Sequence, residues 1–108
     1  MSGMPTAARG RIFHPPASAL DLATILRTLG DPVRLEMVRL LSDGVPRSCS
    51  VLSDAVDVPA STGSYHMRLL REAGLTHARQ DGTTREISLR REDVDARFPG
   101  LIDVLTAE

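Results

Sequence analysis

Apolar residues recur at helical spacing in four successive stretches of the chain. Leu22, Ile25, Leu26 and Leu29 line one face of a first helix, with Ser18 as its expected cap, Asp21 favourable at its positive end and Gly30 closing it. Val33, Met37, Leu40 and Leu41 form the stripe of a second. Asp31 caps it and Pro32 takes the first position, where a missing N–H costs nothing. Gly44 and Pro46 end it. Val51, Leu52, Ala55 and Val56 mark a short buried face over about Ser50 to Val56, and Asp57-Val58-Pro59 turns the chain into a fourth helix from about Ala60 to Ala73.

After the fourth helix the pattern changes. Gly74 sits where a left-handed residue ends a helix, and Leu75 beyond it can fold back on Leu70. From Leu75 to Arg90 the chemistry is that of strands: Gln80-Asp81-Gly82-Thr83 supplies a turn, and Ile87 and Leu89 alternate with Glu86, Ser88 and Arg90. Glu92 and Asp93 start a last helical segment carrying Val94, Phe98, Leu101, Ile102 and Leu105, broken or kinked at Pro99-Gly100. Residues 1–16 hold Gly3, Pro5, Gly10, Pro15 and Pro16 and read as a flexible arm. The order predicts a mainly α fold with a small β-hairpin: a winged helix-turn-helix of five helices plus a two-stranded wing, over residues 17–106.

The fourth helix carries the chemistry. At 100° per residue Gly63, Met67, Leu70 and Gly74 share one side, and Ser61, Tyr65, Arg68 and Glu72 lie across from them. A helix built this way packs its back and presents hydrogen-bonding groups forward. The net charge of −1 hides a division: residues 60–91 hold six Arg against Glu72, Asp81 and Glu86, a balance of +3, whereas residues 92–108 hold five acids against Arg97, a balance of −4. All thirteen basic residues are Arg, which suits phosphate contacts through a planar fork but reads first as the bias of a GC-rich coding sequence.

Other classes find little support. Three aromatic residues are too few for a stacking platform on single strands. An enzyme needs a nucleophile beside a base, paired carboxylates or a phosphate loop, and no such spacing occurs. Cys49 is the one cysteine, so no intrachain disulfide forms and a reducing cytoplasm is the expected compartment. No apolar run resembles a signal peptide or approaches the ~20 residues of a membrane span.

Two motifs carry a family resemblance: Leu29-Gly-Asp-Pro-Val-Arg-Leu-Glu-Met-Val-Arg-Leu-Leu41, then Ser64-Tyr-His-Met-Arg-Leu-Leu-Arg-Glu-Ala-Gly-Leu75. In this order, followed by a wing, they resemble the ArsR/SmtB family of dimeric bacterial repressors over roughly residues 19–106. Gly63 departs from the β-branched residue usual there, which is expected to loosen the helix by ~1 kcal/mol. The family's Cys-x-Cys metal box falls on Ser48-Cys49-Ser50, where neither ligand position carries Cys. Its other common site needs an Asp-x-His on the last helix, and residues 91–108 contain no His. No metal or other cofactor is therefore expected.

The resemblance implies a sequence-specific, dimeric DNA-binding regulator, a repressor released by an effector that the sequence does not identify. Its double-stranded operator would be met by Ser61, Thr62, Ser64, Tyr65 and Arg68 on the reading helix and by Arg79 and Arg85 beside the wing turn. His66 is a candidate phosphate donor, with a bracing role inside the motif the equal alternative. The first and last helices would form the dimer interface through Leu22, Ile25, Leu26, Leu29, Leu101, Ile102 and Leu105. Cys49 reads first as a buried small hydrophobe, with a ligand or redox role as the alternative, including a site shared with His14 of the arm. His14 and His77 read as surface residues without chemistry. The competing function is a winged-helix protein-interaction module that does not read DNA.

Overall fold

The computed structural model describes residues 12–107. A single 3-10 turn over Ala17–Ala19 precedes helix α1 (Leu22–Thr28), followed by α2 (Pro32–Leu41), strand β1 (Arg47–Ser48), α3 (Cys49–Ala55), α4 (Ala60–Glu72), β2 (Thr76–Asp81), β3 (Thr84–Leu89), α5 (Arg91–Arg97) and α6 (Leu101–Leu105). Among the described residues the winged helix-turn-helix has six α-helices and three strands rather than five and two. The last segment divides at Pro99-Gly100, where Gly100 takes φ 85°. A third strand, too short for any periodicity to announce it, pairs antiparallel on the far edge of β3, with Arg47 opposite Ile87 and Ser48 opposite Glu86. The β2–β3 hairpin runs from the Thr76–Leu89 pair to the Asp81–Thr84 pair, with Gly82 at φ 64° in its turn.

Helix ends follow local chemistry, with one correction. Asp31 accepts from the N–H groups of Val33 at 2.8 Å and Arg34 at 3.2 Å, and Pro32 occupies the first position of α2. Ser18, the expected cap of the first helix, lies in the 3-10 turn, and Asp21 caps instead, accepting from Thr24 N–H at 3.0 Å. Asp is an equally good cap, and Leu20, buried in the core, fixes where the helix can begin. Gly74, at φ 84°, ends α4: Leu75 N–H reaches the Leu70 carbonyl and Gly74 N–H that of Arg71, both at 3.0 Å.

One core joins the helices to the sheet. Ile25, Met37, Val38, Leu41, Leu52, Leu70, Leu75, Val94 and Ile102 are fully or almost fully buried, with Ile87 of β3 against them. Val51 and Ala55, expected inside, are exposed. The inward side of α3 is Leu52 with Ser53, and Ser53 is buried because α4 packs directly on it. Residues 12–16, expected in the flexible arm, are docked as a strap, whereas residues 1–11 lie outside the described residues. Arg71 donates to the Phe13 carbonyl at 3.1 Å and Arg90 to that of Pro15 at 2.8 Å, while the Ala78 N–H donates to His14 Nε2 at 2.9 Å.

Candidate nucleic-acid interface

Helix α4 is clamped on its inner side, which aims its outer side. A Cβ on Gly63 would stand 1.9 Å from Ser53 Oγ and 2.9 Å from Ser53 Cβ, so glycine here is what lets α4 approach α3. The expected loosening is thus the condition of close packing. The turn between these helices places Asp57 at φ 58°, and Val58 N–H closes it on the Ser53 carbonyl at 3.0 Å. Arg34 then ties three elements together: Nε donates to the Thr28 carbonyl at 2.7 Å, one amino group meets His66 Nδ1 at 3.0 Å, and Asp31 lies at 4.0 Å. A guanidinium can only donate, so His66 Nδ1 accepts and its ring proton sits on Nε2.

Of the two expected roles of His66, the geometry favours the brace over the phosphate donor. The residue is buried beside Met67 and turned to Arg34 rather than outward. The other reading-helix candidates, Ser61, Thr62, Ser64, Tyr65 and Arg68, are all exposed on one side of α4. Arg68 reaches Glu72 at 3.3 Å and lies over the Tyr65 ring, 5.5 Å from its centroid. Pro59 at the N-cap supplies no side-chain acceptor, leaving the first-turn N–H groups open to an outside anion.

The wing arginines project from neighbouring strands. Arg79 on β2 pairs with Glu86 at 3.1 Å while remaining mostly exposed, and Arg85 on β3 reaches Gln80 at 3.5 Å. Between α4 and the sheet lies an open cleft of about 320 Å³. It is lined by Ser61, Ser64, Tyr65, Met67, Arg68 and Arg71 on the helix, Ala78, Arg85 and Ile87 on the sheet, and Cys49 at the start of α3. Arg71 was not among the sequence candidates, since its wheel position is shared between cleft and strap. Cys49 is half-buried, and burial pushes its thiol pKa up against the opposing pull of Arg85.

The apolar dimer candidates divide. Ile25, Leu29 and Ile102 are buried at 0%, 6% and 0% exposure within the protomer, a correction to their assignment to an interface between chains. Ile25 is the buried residue of α1 and Ile102 that of α6, and Leu29, just past the end of α1, joins the same core. Leu22 and Leu26 remain exposed on α1, Leu101 and Leu105 are half-buried, and Val104, not anticipated, is the most exposed large hydrophobe among the described residues at 73%.

His14 and His77, expected as separate surface residues, stack with centroids 4.4 Å apart. The His14 pKa is lowered, first by burial and then by the charges of His77, Arg71 and Arg90. Among the described residues no group of three or more His, Cys, Asp or Glu is placed to hold a metal ion. No helix among them is long and apolar enough to cross a membrane.

Comparison with known proteins agrees with this architecture. Residues 29–78 match a family model described as a helix-turn-helix domain. The chain is 37% identical to an uncharacterized HTH-type transcriptional regulator, YceK, of Bacillus subtilis, covering 77% of this chain and 84% of that protein. It is 36% identical to the arsenical resistance operon repressor of Staphylococcus xylosus, covering 69% of this chain and 71% of the repressor. Its fold is similar to the solution structure of a homodimeric winged helix-turn-helix DNA-binding domain from Mycobacterium bovis, described as a possible ArsR-family regulator. The TM-score is 0.66 at 30% identity, covering 81% of this chain and 79% of that one. With the Asp31-Pro32 cap, the Arg34 brace and the wing in their places, the chain belongs to the ArsR/SmtB family of winged helix-turn-helix, DNA-binding transcriptional regulators.

Proposed function

We propose that the protein is a homodimeric repressor that reads an operator through the outer side of α4 and clamps the flanking backbone with its wing. The observation that carries this is the division of α4. Its inner side is locked by Gly63, His66, Met67 and Leu70, so Ser61, Thr62, Ser64, Tyr65 and Arg68 stand outward on a rigid support. Hydroxyls and a guanidinium at the start of such a helix suit base edges in the major groove, and its open N–H groups suit a phosphate. Arg79 and Arg85 supply phosphate or minor-groove contacts beside it.

Dimerisation uses the apolar side chains the protomer leaves uncovered, Leu22 and Leu26 of α1 with Leu101, Val104 and Leu105 of α6. The homodimeric relative from Mycobacterium bovis supports this assembly. A two-fold dimer presents both reading helices to one face of DNA, so operator half-sites should be centred about one helical turn, or a multiple, apart. Release by an effector completes the cycle expected of a repressor.

Selection of bound fragments from genomic DNA, followed by gel-shift titration, tests the reading. Arg68→Ala should weaken specific binding by ~1–3 kcal/mol and blur preference at one operator position per half-site. Affinity and preference both unchanged would remove Arg68 from the reading surface.

A further inference from the structure

The cleft between α4 and the wing sheet is more than a seat for the DNA backbone. We propose that it is a binding site for a compact organic anion, an aromatic or branched apolar body bearing one carboxylate, sulfonate or phosphate head, whose binding excludes DNA. This rests on the reading of α4 as the DNA-facing helix and names the class of ligand that would release it.

Two observations carry it. The first is the apolar lining: Met67, Ala78 and Ile87 are all buried, and the wall of the cleft is more apolar than polar. A phosphodiester backbone needs donors and gains nothing from such a lining, whereas an apolar body does. The second is the charge of the lining, which includes Arg68, Arg71 and Arg85 and no Asp or Glu. Each guanidinium keeps free N–H groups, because the bonds to Glu72, Phe13 and Gln80 use only part of the five it carries.

The volume of about 320 Å³ stands at the small end of ligand sites, which limits the body to roughly one bicyclic ring. An anion held by Arg68 and Arg85 takes the same donors that would meet DNA. Binding of the two is therefore exclusive, with no movement of the fold required. Cys49 lines the cleft and reports its occupancy.

The test titrates the full chain by calorimetry with a naphthalenesulfonate, the matching neutral naphthalenemethanol, and inorganic sulfate. The sulfonate should bind once per chain, and the alcohol and sulfate each at least about tenfold more weakly. Arg85→Gln, on an exposed strand position, should weaken the sulfonate by about tenfold, the reduction expected for a charge-assisted hydrogen bond. Bound sulfonate should slow alkylation of Cys49 by iodoacetamide and displace operator fragments in a gel shift.

Equal binding of the alcohol, affinity undiminished in Arg85→Gln, or Cys49 left unprotected would overturn the site. Protection of Cys49 with operator binding unchanged would overturn exclusion. If the untreated protein binds no DNA at all, the reading of α4 falls, and the calorimetry and Cys49 protection still decide the cleft.

Discussion

Replacing Gly63 should weaken the fold although helix propensity favours the change. In an unconstrained helix interior, Gly→Ala gains about 1 kcal/mol. Here the new Cβ would meet Ser53 Oγ at 1.9 Å and Ser53 Cβ at 2.9 Å. Rotation of the Ser53 hydroxyl relieves the first clash. The second is set by backbone, and carbons pack at about 3.5–4.0 Å, so α3 and α4 must separate. Overpacking of this kind costs about 1–3 kcal/mol, and more once the separation reaches Met67 and Leu52. Gly63→Ala should therefore lose up to about 2 kcal/mol net, with Gly63→Val worse. Urea unfolding followed by far-UV circular dichroism, at one protein concentration, measures this, and each 1 kcal/mol should move Tm by roughly 4–8 °C. The pair Ser53→Gly and Gly63→Ala moves the missing Cβ to the other helix and should recover most of the loss, a favourable coupling of about 1–2 kcal/mol. Gly63→Ala more stable than the parent, or no coupling in the cycle, would refute the close-approach argument.

Thr76 is fully buried and its hydroxyl has no partner among the described residues, so Thr76→Val should raise stability by about 1 kcal/mol in the same assay; a loss would mean the hydroxyl is satisfied in solution. Docked His14 accepts a hydrogen bond and so must be neutral there, and its pKa lies below the ordinary 6.5. The strap's contribution is then fully present above that value and is lost as pH falls through the lower, folded one. An NMR titration of the His14 ring, with exchange of the Ala78 amide, should show the two changing together; a ring titrating above 6.5 would contradict the docking. Arg79→Ala or Arg85→Ala should lower DNA affinity across all sequences and make the salt slope shallower by about 1 for each phosphate left without its guanidinium, whereas a sequence-specific effect would assign base reading to the wing. Leu26→Asp and Val104→Asp, both at exposed positions, should give folded monomers by sedimentation; an intact dimer in both would move the interface elsewhere.

The sequence by itself determined the elements whose causes are local. Asp31 with Pro32 starts α2 and Gly74 with Leu75 stops α4, through bonds spanning a few residues. The wheel of α4 separates Ser61, Tyr65 and Arg68 from Met67 and Leu70 because one helix repeat decides it. Whatever depended on a second element was left to the tertiary structure. The wheel puts His66 between two faces, and only Arg34, arriving from α2, turns it inward. Gly63 has poor helix propensity in isolation and is required once Ser53 lies against it. An apolar helix face does not say whether its cover is the same chain or another: Ile25, Leu29 and Ile102 went to the protomer's core, leaving Leu22, Leu26 and Val104 outside. The cleft lined by Arg68 and Arg85 is likewise a property of α4 and β3 together, as two surfaces must meet before there is a space between them.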